Sequence, residues 1–120
     1  VRVVVADDAA PLRAVLARCV RNAGHAVVAE AVDVPSLLRL LPELAADVVV
    51  IDGRLPPDGA LAALPHVRAA LPAARIFVVA SLGESALVRA ALAAGASGAF
   101  ARPLDATRVV AALRGEADRA

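Results

Sequence analysis

The chain has 120 residues, 60% hydrophobic but only 2% aromatic; that suffices for one ordinary domain with a core and excludes a disordered tail or a disulfide-stapled mini-protein. Thirteen positive groups, all arginine, oppose twelve carboxylates for a formal charge of +1, so the chain lacks both the basic excess of a nucleic-acid module and the aromatic platforms on which bases stack. No apolar run reaches the roughly 20 residues that span a bilayer, and no charged-then-apolar leader is seen; a single soluble, cytoplasmic domain over residues 1–120 is expected, trimmed at its start because Val1 already lies in an apolar run.

Short β-branched runs alternate with longer stretches of helical spacing. The first run, residues 1–5, leads into Asp7-Asp8 and a stripe of Leu12, Val15, Leu16, Cys19 and Val20, with Pro11 suited to a first helical position and residues 22–24 to the helix end. Cys19, alone in the sequence, reads as a small buried hydrophobe. A second strand is expected at Ala26–Ala31, then a helix that starts after Pro35-Ser36 and carries Leu37, Leu38, Leu40, Leu41 and Leu44. The third run, 47–51, ends at Asp52, and the stripe after it, Leu61, Leu64, Val67 and Leu71, is interrupted by Pro65. The fourth run, 75–79, ends at Ala80-Ser81 and is followed by Leu87, Val88, Ala91 and Leu92, closing at Gly95. The fifth, 99–102, ends at Pro103, and a last helix with Val109, Val110 and Leu113 begins behind the cap Asp105.

Five strand-helix units in succession imply a parallel sheet with helices on both faces. Val3-Val4-Val5 and Val48-Val49-Val50-Ile51 are apolar without alternation, as strands covered on both sides should be. Ligands of such sheets sit beyond the carboxyl ends of the strands, where Asp7, Asp8, Asp52 and Arg102 would converge. Three uncompensated carboxylates repel one another unless a cation sits among them, and oxygen donors of this kind suit magnesium or manganese. The alternative, that Asp7 and Asp8 only cap the first helix, leaves Asp52 and Arg102 without a purpose.

Val3-Val4-Val5-Ala6-Asp7-Asp8, then Val48-Val49-Val50-Ile51-Asp52-Gly53-Arg54-Leu55-Pro56, then Gly95-Ala96-Ser97-Gly98 and Arg102-Pro103 together resemble the response-regulator receiver domain, the CheY-like family of two-component signalling. The resemblance covers the whole chain, and Asp8-Ala9-Ala10-Pro11-Leu12-Arg13 with the Gly-Ala-Ser-Gly turn is most similar to the NarL/LuxR type, whose helix-turn-helix output domain is not in this chain. It implies a doubly wound, five-stranded parallel α/β sheet in the order 2-1-3-4-5. It also implies that Asp52 takes a phosphoryl group from a sensor histidine kinase, while Asp7 and Asp8, one of them through water, hold magnesium or manganese with Asp52 and the carbonyl of Arg54. The resemblance further implies a cis Arg102-Pro103 bond, a homodimer through the fourth helix, fifth strand and fifth helix, and DNA contact only through an output domain.

Several positions depart from the family pattern. Ala80 stands where a Thr or Ser hydroxyl normally meets the phosphoryl group, and Ser81 comes one residue late, on the opposite side of an extended strand; a hydroxyl bonded locally in its loop is the expected use of Ser81. Arg102 replaces a lysine, keeping the charge but adding a larger, planar fork. Ala99 occupies the place of the switch aromatic, and the pleat should turn Phe100 to the other face, into the core. Gly59 follows Asp52 by seven residues rather than the usual eight, a shortened loop still closed by an Asp58-Gly59 turn.

His25 reads as a surface-loop residue and His66 as solvated. Arg108, Arg114 and Arg119 read as a solvated face or half of a charged interface. The leading expectation is a phosphoacceptor regulatory domain, not an enzyme beyond its own phosphorylation and dephosphorylation. The rival is a pseudo-receiver, a phosphorylation-uncoupled interaction or dimerisation domain. A hydrolase of acyl phosphates would need a second acid or base near Asp52, which neither histidine is placed to supply.

Overall fold

The computed structural model describes residues 1–115. Strands β1 (Arg2–Ala6), β2 (Ala26–Ala31), β3 (Val48–Asp52), β4 (Arg75–Ala80) and β5 (Gly98–Ala101) alternate with helices α1 (Ala10–Asn22), α2 (Val34–Leu40), α3 (Ala60–Ala70), α4 (Ser85–Ala93) and α5 (Ala106–Leu113). All strand pairs are parallel, and the sheet order β2-β1-β3-β4-β5 is the one the resemblance implies. Four strands differ by one residue from the runs expected from sequence: β1 and β3 are each displaced one residue forward, β4 extends to include Ala80, and β5 is displaced one residue back, stopping before Arg102.

The pleat divides the core in two. Val4, Ala6, Val49, Ile51, Ile76 and Val78 face Leu37 of α2, Leu64 and Val67 of α3 and Ala91 of α4. Val3, Val5, Val48, Val50, Phe77 and Val79 face Leu16 and Val20 of α1 and Val109 and Leu113 of α5. Both layers are built from small aliphatic side chains. The two phenylalanines meet only in the second, stacked with centroids 5.1 Å apart and planes 14° from parallel. Gly98 makes room there, since a Cβ on it would lie 3.0 Å from the Phe77 ring. Arg75 lies over the same ring and donates from Nη2 to the carbonyl of Leu113 at 2.7 Å and from Nη1 to that of Ala112. A guanidinium on the last carbonyls of α5 satisfies acceptors that the helix leaves open.

Helix limits follow capping chemistry. α2 begins at Val34, not after Ser36 as the sequence suggested: the Asp33 side chain accepts the Ser36 N–H at 2.8 Å, and Pro35 sits in the first turn, where its missing N–H costs nothing. The leucine stripe behind it is split, α2 ending at Leu40 and a 3-10 turn at Leu41–Glu43 carrying Pro42. α3 continues through Pro65, which is exposed, so the hydrogen bond it cannot donate is lost on the solvent side. Asp105 caps α5 by accepting the N–H groups of Thr107 and Arg108. The stripe on α1 is narrower than its sequence suggests. Leu16, Ala17 and Val20 are buried, Cys19 is half-buried, and Leu12 and Val15 are 40% and 48% exposed. The last two line a cleft of about 430 Å³ with Arg102, Pro103 and Leu104. Among the described residues no helix is long and apolar enough to cross a membrane.

Truncation separates the two kinds of leucine on α1. Leu16→Ala should cost about 2–5 kcal/mol in urea unfolding, the usual loss for a buried leucine, whereas Leu12→Ala should change stability by no more than about 0.5 kcal/mol. Equal losses would place Leu12 in the core after all.

Candidate functional site

Because all five strands run the same way, their carboxyl ends share one edge of the sheet, and the polar residues of interest sit there. Asp7 follows β1 directly and is 1% exposed. Its N–H is held by the carbonyl of Ala31, and its Oδ1 accepts the N–H of Ala9 at 2.9 Å. Asp52 is the last residue of β3 and 8% exposed; its Oδ2 accepts the N–H of Arg54 at 3.3 Å. Asp8 is exposed beside them. One carboxylate oxygen from each of Asp7, Asp8 and Asp52 lies within 4.8 Å of the others, so the cluster expected from the strand ends forms. The capping alternative accounts only for Asp7 Oδ1, since the N-cap position Ala9 has no side-chain cap.

Arg102 provides the cation. Its N–H donates to the carbonyl of Ala80 at 2.8 Å, tying the residue after β5 to the end of β4, and the bond to Pro103 is cis. Its Nη1 donates to Asp52 Oδ1 at 2.8 Å and its Nη2 to Asp7 Oδ2 at 2.5 Å. One guanidinium thus joins the carboxylates of two different strands, a two-point geometry that a lysine ammonium cannot reproduce.

Ala80 is 1% exposed at the end of β4, and Ser81 is exposed in the loop beyond it. The Ser81 N–H is taken by Glu84 Oε1 at 2.6 Å, and Glu84 Oε2 accepts Arg54 Nε at 2.9 Å. These two bonds hold the Glu84 carboxyl below its ordinary pKa, the Ser81 N–H contributing most and the Arg54 guanidinium next. Glu84 and the Arg54 side chain were not marked by sequence reasoning; neither lies at a strand end, and only the approach of the two loops brings them together. Sequence gives Gly53 no role beyond its place in the motif after Asp52. Its N–H donates to the Val79 carbonyl at 2.8 Å, and a Cβ there would stand 2.5 Å from Leu87 Cδ2. α4 therefore rests against the backbone next to Asp52. Glycine after the aspartate was the one available signal.

The shortened loop closes through Gly59, at φ +86°, whose N–H donates to the Leu55 carbonyl while the Ala60 N–H donates to that of Gly53. Pro56-Pro57 is a second cis bond. Phe100 is 7% exposed and in the core, as its place in the pleat predicts. His66 is exposed on α3. His25 lies in the loop just before β2, as expected, but half-buried, at the opposite edge of the sheet from Asp52, with Nδ1 2.7 Å from the Val1 amine. Burial also lowers its pKa. Neither histidine reaches Asp52. Arg108 is exposed on α5 and Arg114 exposed just after it, while Arg119 lies outside the described residues.

Burial pushes the Asp7 pKa above the ordinary 3.8; the Ala9 N–H opposes this, the Asp52 charge adds to it, and Arg102 pulls it back in part. A carboxyl that holds its proton more tightly folded than unfolded makes stability fall as pH rises from about 3.8 through the raised value. Asp7→Asn should therefore flatten that part of the stability profile and be more stable than the parent at neutral pH, the difference vanishing in acid. Urea unfolding from about pH 3 to about pH 7 reads this. A variant less stable than the parent at neutral pH would show that the attraction to Arg102 outweighs burial.

The comparisons with known proteins agree with this geometry. A model of the response regulator receiver domain family matches residues 3–114. The chemotaxis protein CheY of Thermotoga maritima is 33% identical over 112 residues, covering 93% of each chain. A LuxR-family two-component response regulator from Aurantimonas superposes with a TM-score of 0.84 at 36% identity, over 95% of this chain and 82% of that one. The receiver domain of the response regulator NarL from Mycobacterium tuberculosis gives 0.87 at 30% identity, over 99% and 96%. With a buried carboxylate pair at the strand ends, a cation after β5 and a family match along nearly its whole length, this chain belongs to the response regulator receiver domain family.

Proposed function

We propose that the chain is the phosphoacceptor module of a two-component response regulator, with Asp52 as the acceptor. The observation that carries this is the Arg102 fork, which sets a fixed cation 2.8 Å from one oxygen of a carboxylate that is 8% exposed. A carboxylate oxygen of Asp52 attacks the phosphorus of a kinase phosphohistidine; the P–N bond breaks, the P–O bond of an acyl phosphate forms, and the imidazole leaves with the electron pair. Positioning and charge neutralisation are most of what such a transfer needs. Arg102, released from the carboxylate, takes up the oxygens of the phosphoryl group formed on it. The donor set of Asp7, Asp8 and Asp52, with the Arg54 carbonyl as a further oxygen, fits magnesium or manganese. When bound, that ion supplies charge neutralisation at the phosphoryl oxygens.

The module is read as regulatory and cytoplasmic, an enzyme only toward its own phosphoryl group. Its similarity to a LuxR-family regulator supports a DNA-binding output in a separate domain. A homodimer would use the face of α4, β5 and α5, where Leu92 of α4 is 47% exposed, Arg108 of α5 is solvent-facing, and the loop leading into α4 carries Leu82 at 81% exposure. Beryllofluoride with magnesium, a mimic of the acyl phosphate, should bind the parent protein and not Asp52→Asn, as read by fluorine resonance. Equal binding by both would discard Asp52 as acceptor.

One observation favours a second reading, an uncoupled pseudo-receiver. Ala80 offers a methyl group where a hydroxyl would clamp the phosphoryl group, and the Ser81 N–H is engaged with Glu84 in the loop. A charge-assisted bond of about 1.5–3 kcal/mol is then missing from the phosphorylated state, and a ligand shifts a conformational equilibrium only by its differential affinity for the two forms. Amide hydrogen exchange over residues 81–100, with and without beryllofluoride, should change little in the parent and more in Ala80→Thr. A large change in the parent, unaltered by the substitution, would establish that the present residues already couple the site to α4.

A further inference from the structure

A divalent ion entering among Asp7, Asp8 and Asp52 meets an obstacle in the arrangement itself. Arg102 holds Asp52 Oδ1 and Asp7 Oδ2, and the remaining oxygen of each carboxylate already accepts a backbone N–H, from Arg54 and Ala9 respectively. Every oxygen of the two buried carboxylates thus has a donor. Asp8, the third member of the trio, is exposed to solvent. A guanidinium is planar, always charged and fixed at two points. It cannot give up one carboxylate oxygen and keep its geometry on the other as freely as a single ammonium could. Magnesium, by contrast, demands short, near-octahedral oxygen contacts and keeps several waters, and it brings a double positive charge into a space already occupied by a single one.

Resting on the reading of the three aspartates as a metal site, we propose that Arg102 competes with the divalent ion for Asp7 and Asp52. The resting pocket is closed by an internal counter-ion, and metal entry, beginning at Asp8, frees the guanidinium for an incoming phosphoryl group. Arg102 is then a positioning residue that sets the metal dependence of the site as well as a phosphate contact. The arginine for lysine replacement raises the metal concentration at which the pocket becomes competent.

Magnesium titration of the whole chain, followed through the amide shifts of residues 6–9 and 52–54, measures the competition without any phosphoryl transfer. Arg102→Ala should bind magnesium about tenfold more tightly than the parent, a factor equivalent to about 1.4 kcal/mol, and Arg102→Lys, which keeps the charge but not the fork, should fall between the two. In the parent, resolved Nη proton signals of Arg102 should mark its fixed guanidinium without metal and collapse to averaged signals as magnesium saturates. That measurement needs no variant to fold. Binding in both variants as weak as in the parent or weaker, or Nη signals unchanged at saturation, would overturn the competition while leaving the metal site in place. No response of parent or variants up to tens of millimolar, an order-of-magnitude ceiling for largely hydrated magnesium sites, would remove the metal site and the competition together.

Discussion

Two carboxylates almost sealed from solvent at the edge of an aliphatic sheet are the constraint around which this molecule is arranged. Burial of either charge alone is costly, and Asp7 registers that cost in a raised pKa. Arg102 offsets it from just beyond β5, so one guanidinium ties together the carboxyl ends of β1, β3 and β5. The same bond pair gives each buried carboxylate a charged donor, while Asp8 stays at the surface.

The pleat explains which switch parts are present. Strands covered on both faces send alternate residues to opposite helical layers. Phe100 is turned toward Phe77 and the α1–α5 layer, and Ala99 is left in the other register. No rotamer change can carry the Phe100 ring to the place of Ala99. β4 ends at Ala80, and Ser81 lies exposed in the loop beyond it, where Glu84 takes its N–H.

What this pocket has in place of a hydroxyl and an aromatic is direct contact between loops and helix. Leu87 of α4 fills the space that a side chain at residue 53 would need, and Arg54 and Glu84 bridge the loops after β3 and β4. The bridge is exposed on the arginine side, so its contribution to stability is small. The Gly53 contact is packing, and packed contacts transmit displacement because they have little slack.

The sequence by itself determined the layered parallel fold and the edge on which function sits. Five β-branched runs separated by helical stripes admit few other topologies, and carboxylates after apolar strands are conspicuous for the free energy their burial requires. The resemblance to receiver domains showed which switch residues are replaced, and the strand period of two showed that Phe100 cannot stand in for Ala99. Only the tertiary structure decided that Leu12 and Val15 lie outside the core, since the width of a buried stripe depends on how closely α5 and the Pro103 loop approach α1. Only it showed that Arg102 spans two carboxylates instead of one, that Gly53 is glycine because of Leu87, and that Glu84 joins two loops. Those are relations between residues 30 or more positions apart, and local spacing carries no information about distances that are set by how separate helices and loops close over a common sheet.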